Sequence, residues 1–253
     1  MTGLVPALIG LAFPFIVGGT PVQSTDPITE STVAFILNQG QSQALCTASL
    51  IDVDTLVTAA HCVDEMGTGN YDVSNMYIML GTDINSASAK VLQVTGAVVN
   101  PGWQGAASTG VDQSDIAVVQ VGGGFPAGYS PATVFTDLSS LKKGENVILA
   151  GYGITNAKTK AGAGVLRKTE VTIADPNLGN TEIVFDQTNG HGACHGDSGG
   201  PAFINQGGKL LLLGLTNRSY PDSAPDDCEH QAVYTKIAAY SDFITQAEGT
   251  LAQ

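Results

Sequence analysis

Between Val17 and Val121, short apolar runs alternate with turn residues at the spacing of β-strands. The runs are Val33–Leu37, Ser49–Ile51, Thr55–Thr58, Met76–Leu80, Val91–Val99 and Ile116–Val121. Each is rich in Val, Ile, Leu or Thr and bounded by Gly, Asn, Asp or Pro, a pattern that predicts strands closed off by turns. A second set follows at Asn146–Ala150, Val165–Ile173, Ile183–Phe185, Pro201–Ile204, Leu210–Leu215 and Ala232–Lys236. Gly122–Pro131 (GGGFPAGYSP) lies between the sets and reads as a connector, because Gly and Pro interrupt regular structure. Near the end Ile237, Tyr240, Phe243 and Ile244 recur at helical spacing, which predicts an amphipathic helix over Ile237–Ala247. Two clusters of strands and a terminal helix predict an all-β protein of two barrels or sandwiches.

Composition narrows the function classes. Of 253 residues, 43% are hydrophobic and 13% charged, with 31 glycines, which fits a folded, turn-rich chain. A net charge of −13 speaks against nucleic acid and anionic membranes, since both require a basic face. Residues 1–15 (MTGLVPALIGLAFPF) are apolar and uncharged but too short to span a bilayer. They read as a signal or pro-segment, although no basic start and no small-x-small site precede Ile16. No stable membrane insertion is expected.

The four cysteines, Cys46, Cys62, Cys194 and Cys228, form no CxxC pair and have no zinc-like spacing with histidine. No metal site and no cofactor are expected. Two disulfides in an exported protein would use all four, with three pairings open; buried thiols are the alternative.

Three segments carry candidate chemistry. Leu56-Val57-Thr58-Ala59-Ala60-His61-Cys62 ends a β run on a histidine, and Asp115-Ile116-Ala117-Val118-Val119 opens an apolar strand with an acid. Either alone is ordinary. Gly196-Asp197-Ser198-Gly199-Gly200-Pro201 is not, because a serine among glycines on a tight turn exposes its hydroxyl and frees neighbouring N–H groups for a ligand.

TAAHC, DIAVV and GDSGGP, in that order, resemble the three signatures of the chymotrypsin/trypsin family of serine proteases. Triads in other protease and hydrolase folds come in different chain orders. Ile16-Val17-Gly18-Gly19 resembles the family's mature N-terminus, and Gly151-Tyr152-Gly153 its glycine-aromatic-glycine segment. The resemblance covers about Ile16 to Ala247. It implies two six-stranded antiparallel β-barrels with a C-terminal α-helix, 16–124 carrying His61 and Asp115 and 125–253 carrying Ser198. It implies a serine endopeptidase with His61, Asp115 and Ser198 as catalytic triad and the N–H groups of Gly196 and Ser198 as oxyanion hole. Asp197 would pair with the α-amino group of Ile16 once the chain is cleaved before that residue. Until then the loop Gly192–Asp197 is expected to be displaced or mobile. Phe15, before the cleavage point, is neither Arg nor Lys, so the activator would not be trypsin-like. The disulfides implied are Cys46–Cys62 and Cys194–Cys228, in a secreted protein, extracellular or periplasmic.

The specificity pocket departs from the trypsin pattern. Where trypsins carry the aspartate that binds Lys or Arg, six residues before Ser198, this chain has Gly192, then Ala193. The substrate-pairing strand reads Asn217-Arg218-Ser219, and the pocket's other glycine is replaced by Ala232. An uncharged floor predicts an apolar residue at P1, the substrate position before the cut bond. The rival is an acidic P1, drawn by His195, Arg218 and His230. Asn217-Arg218-Ser219 is also a glycosylation sequon, read as fortuitous. The glutamates of a trypsin-type calcium loop are missing after Gly81, so no calcium is expected there. Expected partners are protein or peptide substrates and protease inhibitor proteins, acting on a monomer. The alternative function is a protease homologue without activity, retained as a binding or inhibitory protein.

Overall fold

The computed structural model describes residues 16–225 and 227–253. The expectation for residues 1–15 lies outside them. The first barrel closes from β2 (Thr32–Gln39), β3 (Ser42–Leu50), β4 (Thr55–Thr58), β5 (Met76–Leu80), β6 (Lys90–Val99) and β7 (Ala117–Val121), in the order β2-β3-β4-β7-β6-β5. The second closes from β8 (Asn146–Gly151), β9 (Arg167–Leu178), β10 (Glu182–Asp186), β11 (Pro201–Gln206), β12 (Lys209–Tyr220) and β13 (Gln231–Lys236), with β8 returning to β9. Both are six-stranded, antiparallel and free of open edges, which closure removes. The short β1 (Thr20–Pro21) adds to β9 from outside. The chain crosses from one barrel to the other between Val121 and Asn146.

Side-chain alternation explains which runs look continuously apolar. In β5 the burial alternates residue by residue, since one face meets the barrel core and the other is part-exposed. In β2, β4 and β7 both faces are covered. Val33, Phe35, Leu56, Ala117, Val119 and Val121 fill the first barrel. The residues between them, Ala34, Val57, Ile116 and Val118, join Tyr152, Leu166, Phe203 and Leu215 in a seam between the barrels. That seam holds the two barrels in register, so side chains brought to it from either barrel keep a fixed separation. A third cluster, with Phe135, Leu149, Val171, Ile183, Phe185 and Tyr234, fills the second barrel.

At the C-terminus a 3-10 turn, Ile237–Tyr240, runs into an α-helix, Ser241–Leu251. The helix outlasts the expected Ala247 because Leu251 still packs on the first barrel, where Gly96 leaves room for it. The disulfides are Cys46–Cys62 and Cys194–Cys228, so the pairing implied by resemblance is present. Among the described residues no helix is long and apolar enough to cross a membrane.

Candidate active site

His61 stands on a single helical turn, α1 (Ala60–Val63), directly after β4, so the barrel wall fixes where its backbone emerges. Asp115 precedes β7, the strand paired with β4, and is fully buried. Its carboxylate accepts twice from one residue: Oδ1 from the His61 main-chain N–H at 2.9 Å and Oδ2 from the ring at Nδ1, 2.8 Å. Two contacts to one carboxylate set both position and plane of the imidazole. Burial by itself lowers the His61 pKa, but the charge and hydrogen bond of Asp115, with a contribution from Glu65, reverse that and leave it above the ordinary histidine value. The rest of the acid's support comes from the second barrel. Thr235 on β13 donates its hydroxyl to the Asp115 carbonyl at 3.1 Å, and Asn217 donates its amide to Thr235 at 3.3 Å.

Ser198 comes from the loop between β10 and β11 and is docked on the first barrel. Its carbonyl accepts from the Thr47 N–H on β3 at 2.8 Å and lies 3.7 Å from Sγ of Cys62, the neighbour of His61. Thr47, wholly buried, serves both barrels. Its hydroxyl donates to the Gly196 carbonyl at 3.0 Å and accepts from the Tyr152 N–H at 3.2 Å. Gly196 has φ +95°, a conformation natural to glycine. Among the described residues neither its N–H nor that of Ser198 donates to another group. On the far side of His61, Trp103 is packed with its ring centre 6.4 Å away and its indole N–H on the Asp64 carbonyl at 2.7 Å.

The family model for trypsin matches residues 16–244. The chain belongs to the trypsin family of serine endopeptidases. Brachyurin of Leptuca pugilator is 29% identical over 81% of this chain and 88% of its own length. A fibrinolytic enzyme, isozyme C, of Lumbricus rubellus is 26% identical over 79% and 86%. Chymotrypsin of Phaedon cochleariae is 25% identical over 84% and 75%.

In this trypsin-family chain the loop from Gly192 to Asp197 turns its acid inward. The Asp197 carboxylate is buried, accepting from the Gly153 N–H at 2.8 Å and the Cys194 N–H at 2.9 Å. It lies so close over Gly151 and Gly153 that a β-carbon on either would meet it at 2.2 to 2.6 Å, which accounts for the two glycines around Tyr152. Ile16 is buried too, 1% exposed, with Val17 bridged to Gly192. Two backbone donors seat the side chain. They do not neutralise it. Burial pushes the Asp197 carboxyl up to about 7, against the pull of those two N–H groups and the charge of Arg167.

The pocket residues divide into two walls. Ser219 on β12 faces Ala232 on β13 as a cross-strand pair, while Gly192 and Ala193 lead into the Cys194–Cys228 disulfide. Arg218 does not face this space with a free charge. Its guanidinium takes both oxygens of buried Glu182, at 2.8 and 3.0 Å, as well as Asp222 at 3.2 Å and the Gly110 carbonyl at 2.7 Å. His230 sits 3.5 Å from Asp227, and His195 is exposed. Asn217 is buried at 8% exposure with its amide on Thr235, so its sequon offers nothing to solvent. Thr47, Trp103, Thr235 and Gln187 are the residues that sequence reading missed. Only Trp103, as the single tryptophan twelve residues before Asp115, carried a signal in the sequence.

Proposed function

We propose that the protein cleaves polypeptides through an acyl-enzyme on Ser198, with His61 as general base and Asp115 as its orienting acid. The observation that carries this is the two-point contact of Asp115 with His61. A carboxylate on Nδ1 keeps the proton on that nitrogen and leaves Nε2 as the base. Ser198 Oγ attacks the peptide carbonyl and its proton passes to Nε2. The amine leaves with that proton, and water repeats the sequence in reverse to free the acid. The unengaged N–H groups of Gly196 and Ser198 suit the developing oxyanion, where each such donor is worth roughly 10²–10³ in rate.

Cleavage before Ile16 would complete the site by giving Asp197 the α-ammonium that its burial calls for. The uncharged wall at Gly192 and Ala193 supports an apolar P1. Ser219 and Ala232, each larger than glycine, favour Leu or Met over Trp. The engagement of Arg218 by Glu182 and Asp222 weakens one of the three supports for an acidic P1. The two disulfides fit an oxidising, extracytoplasmic setting. In this reading the enzyme acts as a monomer and is open to inhibitor proteins that lie along the same cleft. The non-catalytic alternative has no observation in its favour. Labelling the chain that starts at Ile16 with a fluorophosphonate tests the reading. One adduct per chain, on Ser198, is expected, and no adduct refutes it.

A further inference from the structure

Gln187, just beyond the end of β10, is a polar side chain only 3% exposed, and its carboxamide is fully engaged. Its Oε1 accepts from the Ala193 N–H at 2.6 Å. Its Nε2 donates to the His230 carbonyl at 3.3 Å and reaches the Ala193 carbonyl at 3.5 Å. The side chain therefore spans the same two walls that the Cys194–Cys228 disulfide joins, bonding the residue before Cys194 and the residue two after Cys228. It does so at the level of Gly192. A β-carbon on residue 192 would lie 2.2 Å from Cδ and 2.4 Å from Oε1 of Gln187, far inside contact distance. The volume that a side chain at 192 would fill is already taken, by a neutral amide arriving from another element.

We infer that Gln187 is the floor of the primary specificity pocket, and that its carboxamide sets the pocket's depth and keeps it uncharged. This rests on the peptidase reading and deepens it. Gly192 is then a consequence of Gln187, since no larger residue fits beside the amide. The amide's donors and acceptor are used up on main-chain groups, so it offers a P1 side chain no strong hydrogen bond. A shallow, neutral pocket accepts medium apolar side chains and stops long ones before their binding energy is realised.

The test is the ratio of kcat/KM for peptides with Tyr and with Leu at P1, on enzyme counted by fluorophosphonate adduct at Ser198. Gln187→Ala should deepen the pocket and raise the Tyr-to-Leu ratio by about tenfold or more, the scale on which pocket volume discriminates. Gln187→Met, which keeps the bulk and loses the hydrogen bonds, should leave that ratio within about threefold of the parent, because the effect is one of volume. An unchanged ratio in a Gln187→Ala enzyme that labels stoichiometrically overturns the inference. If Gln187→Ala does not fold, Gln187→Asn keeps the amide one methylene shorter, and a ratio that fails to rise there has the same force. A parent enzyme that takes no label overturns the peptidase reading instead, a different result from a labelled enzyme with an unmoved ratio.

Discussion

The hydroxyl of Thr235 donates to the main-chain carbonyl of Asp115 at 3.1 Å, so the acid on the first barrel is held by a strand of the second. Thr235 in turn accepts from Asn217, on the strand expected to pair with substrate. The chain of contacts runs from the Asn217 amide through the Thr235 hydroxyl to the Asp115 backbone, whose carboxylate holds His61. Thr235→Val keeps the shape and removes the hydroxyl, leaving the Asn217 amide without its acceptor. The expected loss is about 1–3 kcal/mol of stability, the scale for an orphaned buried polar group. A fall in kcat with KM little changed should accompany it, and Thr235→Ser should restore kcat. A melt and a kinetic profile unaltered in the valine variant would show the link to be idle.

Removing the nucleophile or the base is the direct assay of the mechanism. Ser198→Ala and His61→Ala should each lower kcat by about 10⁴ or more, and the double variant should fall little further, because the two side chains act as a unit. Neither belongs to a core cluster, so circular dichroism should match the parent. Near-normal turnover in purified Ser198→Ala would remove the basis of the assignment.

Much of the architecture was legible in the sequence, for a physical reason. Strands whose one face meets a core, such as β5 and β9, carry the period-two pattern, and strands buried on both faces carry unbroken apolar runs. The pattern fails where side chains serve the cleft instead of a core. The β12 strand continues through Thr216, Asn217, Arg218 and Ser219, polar residues that sequence reading ended at Leu215. The β3 strand begins at Ser42, seven residues before the expected Ser49, because its first residues are polar and exposed. The residues that seat the site were invisible for another reason. Thr47 meets Gly196 across 149 residues and Thr235 meets Asp115 across 120, and no local pattern records such contacts. His61, Asp115 and Ser198 stand out in the sequence because their motifs are short and contiguous.

The raised pKa of His61 fixes the acid limb of the pH profile. The base works only when neutral, so kcat/KM should climb as pH rises through a value above the ordinary 6.5. The proton that Asp115 stabilises on the ring contributes to folding below the unfolded histidine pKa, and that contribution is lost as pH rises through the folded one. Activity and this share of stability therefore move in opposite directions over the same window. In Asp115→Asn the residual activity should show its acid limb displaced downward, since burial then acts on the imidazole without an opposing carboxylate. An acid limb at or above the parental position would contradict the stated cause.

The shift of Asp197 has a different consequence. Its carboxyl is pushed up to about 7 from an ordinary 3.8, so the uncleaved fold holds a proton that the unfolded chain releases. A raised folded pKa gives stability that is complete below the unfolded value and is lost as pH climbs to about 7, on the order of 4 kcal/mol in all. Cleavage before Ile16 supplies an ammonium that should bring this pKa down and cancel the loss. The melting temperature of the chain starting at Ile16, minus that of the uncleaved chain, should therefore grow between pH 5 and pH 8. A difference that stays flat across that window would mean that the new α-amino group never reaches Asp197.

Glu182 is 1% exposed, and Arg218 binds both of its carboxylate oxygens. Besides the two guanidinium contacts it accepts from the Gln113 N–H at 3.2 Å, and Arg218 goes on to bind the Gly110 carbonyl. The pair thus fastens the loop before Asp115 onto β10 and β12. Arg218→Ala removes a cation from a carboxylate that has almost no access to water, and a loss of about 3–5 kcal/mol is expected on the scale of broken buried pairs. Replacing both partners by apolar residues, Arg218→Leu with Glu182→Leu, should recover most of it, because no buried charge then remains unmatched. If the pair mattered only through its charges the double variant would also regain full activity. It should not, since the leucines cannot hold the Gly110 carbonyl and the loop is then free to shift beside Asp115. Thermal melts of the three variants, with kcat/KM on an extended and on a minimal peptide, separate the two effects. Equal stability of Arg218→Ala and the parent would show that the ion pair is not what seats the loop.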